Sequence, residues 1–223
     1  MTIAVSVKDV CKNFVLGQEE VKVLKELTFD IKKGEFVSLM GPSGSGKSTL
    51  LYLIGGLDEP TTGQILVNEK ELKTMKDLEE SIMRRRELGF VFQFYNLIPN
   101  LNIEDNVMLP ILLDGKNPKK YEKDLDEILE LVGLSDRRYH TPRELSGGQQ
   151  QRVAIARALI NDPDIIMADE PIGNLDSVTG TEIMELFKRI NVEKKKTIIQ
   201  VTHSESAAQY GNRIIRLKDG RIL

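Results

Sequence analysis

The stretch that most restricts the fold is Gly41-Pro42-Ser43-Gly44-Ser45-Gly46-Lys47-Ser48-Thr49, set between Phe36–Met40, a short buried-strand run, and Leu50–Ile54, the start of an apolar helix. Strand, glycine loop and helix in that order place backbone N–H groups around an anion, and the helix N-terminus adds its dipole. Side chains would block that approach, so the pattern needs glycine. Lys47 then sets a point charge on the β- and γ-phosphates of a nucleotide. Ser48 is one ligand of an octahedral Mg²⁺, and Thr49 helps hold phosphate. A chance glycine turn would match this pattern in roughly one chain in a hundred of this length, and the flanking strand and helix make chance rarer still.

The rest of the chain reads as α/β. Apolar residues in Ile3–Val10 and Val21–Ile31, with turn-like Gly17 between them, predict an N-terminal antiparallel β lobe. Runs at Phe90–Phe92, Ile165–Ala168, Thr197–Val201 and Ile214–Leu217 predict further strands, and the last three alternate with helical stretches as a mostly parallel sheet requires. Leu125, Ile128, Leu129 and Val132 follow helical spacing, as do Ile183, Leu186, Phe187 and Ile190. Between Asn96 and Ile160 only helical patterns occur, punctuated by Pro110, Pro118, Gly133 and Pro142, which predicts a helical lobe inserted in the sheet domain.

Composition excludes several classes. At 223 residues, 40% hydrophobic and 29% charged, the chain is expected to form one soluble domain with a proper core. A net charge of −3 gives no overall basic field, so no nucleic-acid partner is expected. Cys11 stands alone, which rules out an intrachain disulfide and a multi-cysteine zinc site and leaves a packing role in a reducing compartment. Met1–Val10 carries Lys8 and Asp9 and has no apolar signal core. Val107–Leu113 is far too short to span a bilayer, so no membrane crossing is expected.

Two further constellations bear on chemistry. Ile165-Ile-Met-Ala-Asp169-Glu170 is a buried strand ending in adjacent carboxylates, where a parallel sheet presents residues to its ligand. Asp169 can reach Mg²⁺ through water, and Glu170 is suited to orient or deprotonate an attacking water. Leu145-Ser146-Gly147-Gly148-Gln149 opens a helix expected from about Gln150 to Ile160 and forms a second anion site. By itself Ser146 reads equally well as a simple helix cap. His140, among Arg137, Arg138, Tyr139 and Thr141, reads as part of a solvated loop without a role.

Gly41–Thr49, Gln93, Leu145–Gln149, Ile165–Glu170, Gly173–Asp176 and His203 occur in the order and context of ABC transporter ATPases, and the chain resembles that family over essentially its whole length. The resemblance implies a P-loop NTPase fold of the RecA-like kind in a single domain, 1–223. Residues 1–95 and 161–223 would form the nucleotide-binding core with its β lobe, and 96–160 the helical signature lobe. It implies ATP and Mg²⁺ as cofactors and a head-to-tail, ATP-dependent dimer with a second cassette subunit, ordinarily another copy of this chain. Ser146, Gly147, Gly148 and Gln149 would then act in trans on the partner's ATP.

By the same resemblance Gln93 is the glutamine that contacts Mg²⁺ and the attacking water, and His203 the histidine that contacts the γ-phosphate. The catalytic set is Glu170, His203, Gln93 and Lys47, with Ser48, Gln93 and Asp169 at the metal. Phe14 lies where an aromatic stacks on adenine, although tyrosine is commoner there. Gly173-Asn-Leu-Asp176 resembles the loop that links the two sites, with Asp176 at the nucleotide, but Ile172 replaces a usual threonine. Ser204 stands where aspartate is common. Phe94–Pro99 corresponds to the segment that meets integral membrane permease subunits, which places the protein in the cytoplasm, peripheral on the membrane's inner face.

Gly55–Thr61, Phe90–Phe94 and Asn106–Pro110 most resemble the subgroup of lipoprotein-releasing, macrolide-exporting and antimicrobial-peptide transporters. The alternative is a regulator like the cell-division ATPase, which transmits force without moving a substrate. The chain lacks the long coiled coils, zinc cysteines or tandem cassettes of DNA-repair and translation relatives, and a simple nucleotide kinase would not need Leu145–Gln149. With nothing extended after Ile222-Leu223, no appended regulatory module is expected.

Overall fold

The computed structural model describes residues 2–17 and 19–223. The first two strands, β1 (Ile3–Leu16) and β2 (Glu19–Lys32), form an antiparallel hairpin. Toward the end of β2, Leu27, Phe29 and Ile31 are buried while Thr28, Asp30 and Lys32 face water, the period-two pattern of a half-buried strand. Next come β3 (Phe36–Met40), buried at every position, and α1 (Lys47–Ile54). Strands β4 (Thr62–Val67) and β5 (Lys70–Glu71) then complete a four-stranded sheet of order β2-β1-β4-β5.

The chain continues through α2 (Asp77–Arg86), β6 (Leu88–Val91), α3 (Ile103–Leu113), α4 (Glu122–Val132) and α5 (Gly147–Leu159). It ends with β7 (Ile165–Asp169), α6 (Ser177–Lys194), β8 (Thr197–Thr202), the short α7 (Glu205–Ala208), β9 (Arg213–Lys218) and β10 (Arg221–Ile222). The second sheet has order β10-β9-β3-β8-β7-β6 and is parallel except for β10. Its central strands are covered on both faces, which is why they read as unbroken apolar runs without alternation.

Successive residues of those strands point to opposite cores. Ile165 and Met167 of β7 join Val37, Leu39, Ile199 and the β lobe around α1. Ile166 and Ala168 join Ile198 and the helices on the other face. That second core also holds Ile103, Val107, Leu125 and Leu129, so the helices between Asn96 and Ile160 share one core with the sheet. Contact between β6 and α5 is close enough that a Cβ on Gly89 would lie 2.4 Å from the Ala158 carbonyl oxygen.

Pro110 lies inside α3 and does not end it. It lacks only the N–H that would bond the Asn106 carbonyl, and the buried Val107, Met108 and Ile111 carry the helix through. α5 begins at Gly147, so both signature glycines are helical. β4 and α2 have no apolar sequence signature. β4 buries Ile65 and Val67, and α2 buries Met83 alone while placing acids in its first turn and arginines in its last, as the helix dipole favours. Cys11 is partly buried and its Sγ accepts from the Glu26 N–H at 3.3 Å.

α2 is joined to the end of α3 by Asp114, whose side chain is 2% exposed. Its carboxylate accepts from Arg86 Nε at 2.8 Å and meets Lys116 Nζ at 3.1 Å. The hydrogen bond from Arg86, and then Lys116, hold the Asp114 carboxyl below the ordinary range against the opposing effect of burial. A depressed carboxyl stabilises the fold above its unfolded pKa, and that contribution is lost as pH falls through the folded pKa. Asp114→Asn is therefore expected to lower the urea midpoint near neutral pH. The gap from wild type should close on acidification through the usual aspartate range, about pH 4 and below, as measured by denaturation at a series of pH values.

Candidate active site

The loop after β3 is a bare backbone cradle. Gly46, the N-cap of α1, adopts φ +95°, no side chain caps the helix, and its first turn carries no acid. A Cβ on Gly41 would meet the Leu217 carbonyl oxygen at 2.1 Å, and one on Gly46 would meet Leu24 Cδ2 at 2.5 Å. Ser45 Oγ is buried without a hydrogen-bond partner among the described residues. Lys47 is 7% exposed, and its Nζ donates to the Pro42 carbonyl at 2.9 Å, arching over the loop. Unclaimed N–H groups, an orphaned hydroxyl and a held cation fit a phosphate chain. Pro42, Ser43 and Gly44 form the exposed crest, and Thr49 is half-buried on the first turn of α1.

β7 delivers Asp169 to that helix. Ser48 Oγ donates to Asp169 Oδ1 at 2.9 Å, and the Tyr52 hydroxyl donates to Oδ2 at 2.7 Å. Sequence reasoning missed Tyr52. The signal available was its position four residues after Ser48, on the same face of α1. Burial, reinforced by Asp169, pushes the Tyr52 phenol up to about 12, so it remains a donor near neutral pH. No cluster of three His, Cys, Asp or Glu occurs among the described residues. A hydroxyl beside one carboxylate instead suits a hard, oxygen-seeking cation such as Mg²⁺, completed by water and phosphate oxygens.

Glu170 adopts φ +46°, a left-handed conformation that costs a non-glycine residue about 1–3 kcal/mol. Its N–H donates to the Val201 carbonyl at 3.0 Å and its carbonyl accepts from Gly173 N at 3.0 Å, which holds the strained residue from both sides. The conformation points its carboxylate at His203, with Oε1 2.9 Å from Nδ1. Glu170 is largely enclosed, with a side chain 16% exposed, whereas the His203 ring is 70% exposed. Behind His203, Gln200 Nε2 donates to Ser38 Oγ at 2.8 Å and to the Ala207 carbonyl at 2.8 Å, a buried network that fixes the end of β8 against β3 and α7.

Gln93 is brought to the turn after Glu170. Its Nε2 donates to Asn174 Oδ1 at 3.3 Å, Asn174 Nδ2 donates to the Gln93 carbonyl at 3.0 Å, and a Cβ on Gly173 would lie 2.9 Å from Gln93 Nε2. Among the described residues no hydrogen bond joins Gln93 to Ser48 or Asp169. Asp176 caps α6: Oδ1 accepts from the N–H of Val178 and of Thr179, each at 3.0 Å, and Oδ2 from Thr179 Oγ1 at 2.6 Å. The bonds from Thr179 hold its carboxyl below the ordinary range.

Ser146 and Gln149 form a reciprocal cap at the start of α5. Gln149 N donates to Ser146 Oγ at 3.3 Å, and Ser146 N donates to Gln149 Oε1 at 2.9 Å. Gly148 lets α5 approach α6, since a Cβ there would lie 2.2 Å from Thr179 Cγ2, and one on Gly147 would lie 2.8 Å from the Tyr95 hydroxyl. Ser146 is exposed, and no hydrogen bond among the described residues joins Ser146–Gln149 to the loop of Gly41–Thr49. Gln151, also missed from sequence, is buried and donates to the Pro171 carbonyl at 2.6 Å, tying α5 to the residue after Glu170.

Phe14, on β1, is 38% exposed, with Lys12 Nζ 4.8 Å from its ring centroid. Lys12 is itself held by Asp58 Oδ1 at 2.6 Å and the Glu59 carbonyl at 2.7 Å.

Residues 24–173 match the family model described as ABC transporter. An uncharacterized ABC transporter ATP-binding protein of Thermotoga maritima is 50% identical over 214 residues, 96% of this chain and 91% of its own length. The lipoprotein-releasing system ATP-binding protein of Acinetobacter baylyi is 44% identical, covering 98% of this chain and 96% of its own. A macrolide export ATP-binding/permease protein of Bdellovibrio bacteriovorus is 45% identical over 98% of this chain, which spans 33% of that longer protein. The dimeric structure of a Methanocaldococcus jannaschii ATP-binding cassette in a post-hydrolysis state with ADP and Pi superposes with a TM-score of 0.88 at 47% identity, covering 98% and 96% of the two chains.

Gly46→Ala tests the cradle. A methyl group forced to a left-handed φ and into Leu24 is expected to cost about 1–3 kcal/mol of stability and to abolish most of the rise in melting temperature that ADP confers, as measured by thermal unfolding with and without the nucleotide.

Proposed function

We propose a function for a chain that belongs to the ABC transporter family: an ATPase subunit that closes head to tail on a second cassette and drives a separate membrane permease. One observation carries this reading. The Ser48–Asp169 and Glu170–His203 pairs stand side by side at the end of the sheet that also bears the bare glycine loop.

In this arrangement the loop and Lys47 hold the β- and γ-phosphates. Ser48 and Asp169 hold Mg²⁺, which when bound neutralises charge on the phosphate oxygens. Glu170 orients the attacking water and receives its proton, while the bond from the γ-phosphorus to the oxygen retained by ADP breaks. His203 steadies the Glu170 carboxylate and reaches the γ-phosphate. Such transfer depends on positioning and electrostatics more than on covalent help from the protein. Phe14 offers its exposed face to adenine. Gln93 is assigned to the metal and the attacking water, which asks its amide to leave Asn174 when nucleotide binds.

Ser146 is exposed at the start of α5, and its segment makes no hydrogen bond to the glycine loop of its own chain among the described residues, which supports a composite site in which Ser146–Gln149 meets ATP held by the second cassette. The dimeric form of the Methanocaldococcus jannaschii relative supports the same assembly. A groove of about 370 Å³, lined by Leu88, Phe90, Phe92, Leu109 and Pro110, supports docking of a permease segment. Beside it Phe94 is 71% exposed, on a loop held by Arg157, which donates to the Asn96 carbonyl at 2.6 Å and the Tyr95 carbonyl at 2.9 Å. Among the described residues no helix is long and apolar enough to cross a membrane. Similarity to lipoprotein-releasing and macrolide-export proteins supports an export-type permease, with this subunit at the cytoplasmic face.

Glu170→Gln is expected to lower ATP turnover at least about 100-fold, the contribution of a positioned general base. It should also accumulate an ATP-dependent dimer on size-exclusion chromatography. Wild-type turnover per subunit should rise with protein concentration. A rate independent of concentration, from a persistent monomer that the substitution barely affects, would refute the composite site.

A further inference from the structure

We infer that Tyr52 is a positioning residue for the cation site, holding the Asp169 carboxylate in the orientation that Ser48 and the metal require. The inference rests on the reading of Ser48 and Asp169 as the metal-holding pair and adds to it a residue outside the sequence motifs.

Each oxygen of Asp169 receives one hydroxyl from α1: Oδ1 from Ser48 at 2.9 Å and Oδ2 from Tyr52 at 2.7 Å. Ser48 and Tyr52 are one helical turn apart, so a single rigid element presents both donors along one face. A carboxylate at a strand end can turn about two side-chain bonds, and one donor leaves that rotation open. Two donors from the same helix fix the plane of the group. The phenol is also uncharged. A lysine or arginine in its place would fix Asp169 equally well but would neutralise the charge the cation needs, whereas Tyr52 leaves that charge in full. Donors that hydrogen-bond a metal-holding group from behind fix its orientation, and their loss weakens metal binding by roughly 10- to 100-fold. Because Asp169 is read as reaching the metal through water, the low end of that range is expected.

The test uses the full chain loaded with ADP, so that no turnover occurs, and Mn²⁺ as a spin-visible substitute for Mg²⁺, with free Mn²⁺ followed by electron paramagnetic resonance. Wild type, Tyr52→Phe, Asp169→Asn and the double variant are compared, and ADP binding in the presence of chelator is measured for each. Tyr52→Phe keeps the ring and removes only the hydroxyl. It is expected to weaken Mn²⁺ binding about tenfold, leave metal-free ADP binding unchanged, and add nothing in the Asp169→Asn background. Weakening by Asp169→Asn but not by Tyr52→Phe would overturn the inference and leave the metal site standing. Equal loss of metal-free ADP binding and Mn²⁺ binding, or an additive double variant, would also overturn it, by assigning Tyr52 to packing of the loop. Unchanged Mn²⁺ binding in both single variants would overturn the metal assignment of Ser48 and Asp169 itself.

Discussion

The site depends on the parallel register of three strands. Met40 of β3 pairs with Thr202 of β8, and Asp169 of β7 pairs with Val201 of the same strand. The residues that follow those pairs are Gly41, His203 and Glu170. Three segments far apart in the chain therefore leave the sheet at the C-terminal ends of its central strands, within one residue of each other in register. A slip of one residue would exchange the faces of every side chain on a strand. Here it would also part Asp169 from Ser48 and Glu170 from His203. The two cores make such a slip costly, because alternate residues of β7 and β8 are committed to opposite sides of the sheet.

On that frame the polar groups are held by side chains that do no chemistry. Gln200, Ser38 and the carbonyls of α7 brace the strand end that carries His203. Glu170 keeps a left-handed conformation because its N–H is bound by β8 and its carbonyl by Gly173. Strain of this kind persists only where the surroundings over-determine it, and it is found at sites whose geometry matters for function. Gln151 and Gln93 reach the same short turn from different directions, one from the signature helix and one from the end of β6. That turn, Pro171–Asn174, is where the start of α5, Glu170 and the groove-side loop are mechanically joined.

How legible these features are in sequence depends on how local their cause is. The glycine loop, the strands β3, β7 and β8 and the helices α4 and α6 are visible because their patterns are dense: unbroken apolar runs for strands buried on both faces, and helical spacing for one-sided helices. β4 and α2 are invisible because few of their residues are buried and their stability comes from β1 pairing and from charge placement along the helix. Pro110 misleads because packing of its neighbours outweighs the loss of one hydrogen bond. Asp176 reads as a nucleotide contact by resemblance, whereas the fold engages both its oxygens in capping α6.

The sequence by itself determined the α/β class, the glycine loop between strand and helix, the paired carboxylates and the existence of a helix after Ser146, though not its first turn at Gly147, since each is written in contiguous residues whose backbone geometry follows from glycine content or apolar period. Tertiary structure alone decided which groups meet: Ser48 with Asp169, Tyr52 with Asp169, Glu170 with His203, Gln93 with Asn174 and Gln151 with the Pro171 carbonyl. Tyr52 and Gln151 carry no motif, and their roles come from where α1 and α5 lie against β7 and its turn. The physical reason is one of range. Backbone conformation is set by neighbours a few residues away, whereas a hydrogen bond between residues 20 to 121 positions apart exists only once strand register and helix packing have brought both ends to one place.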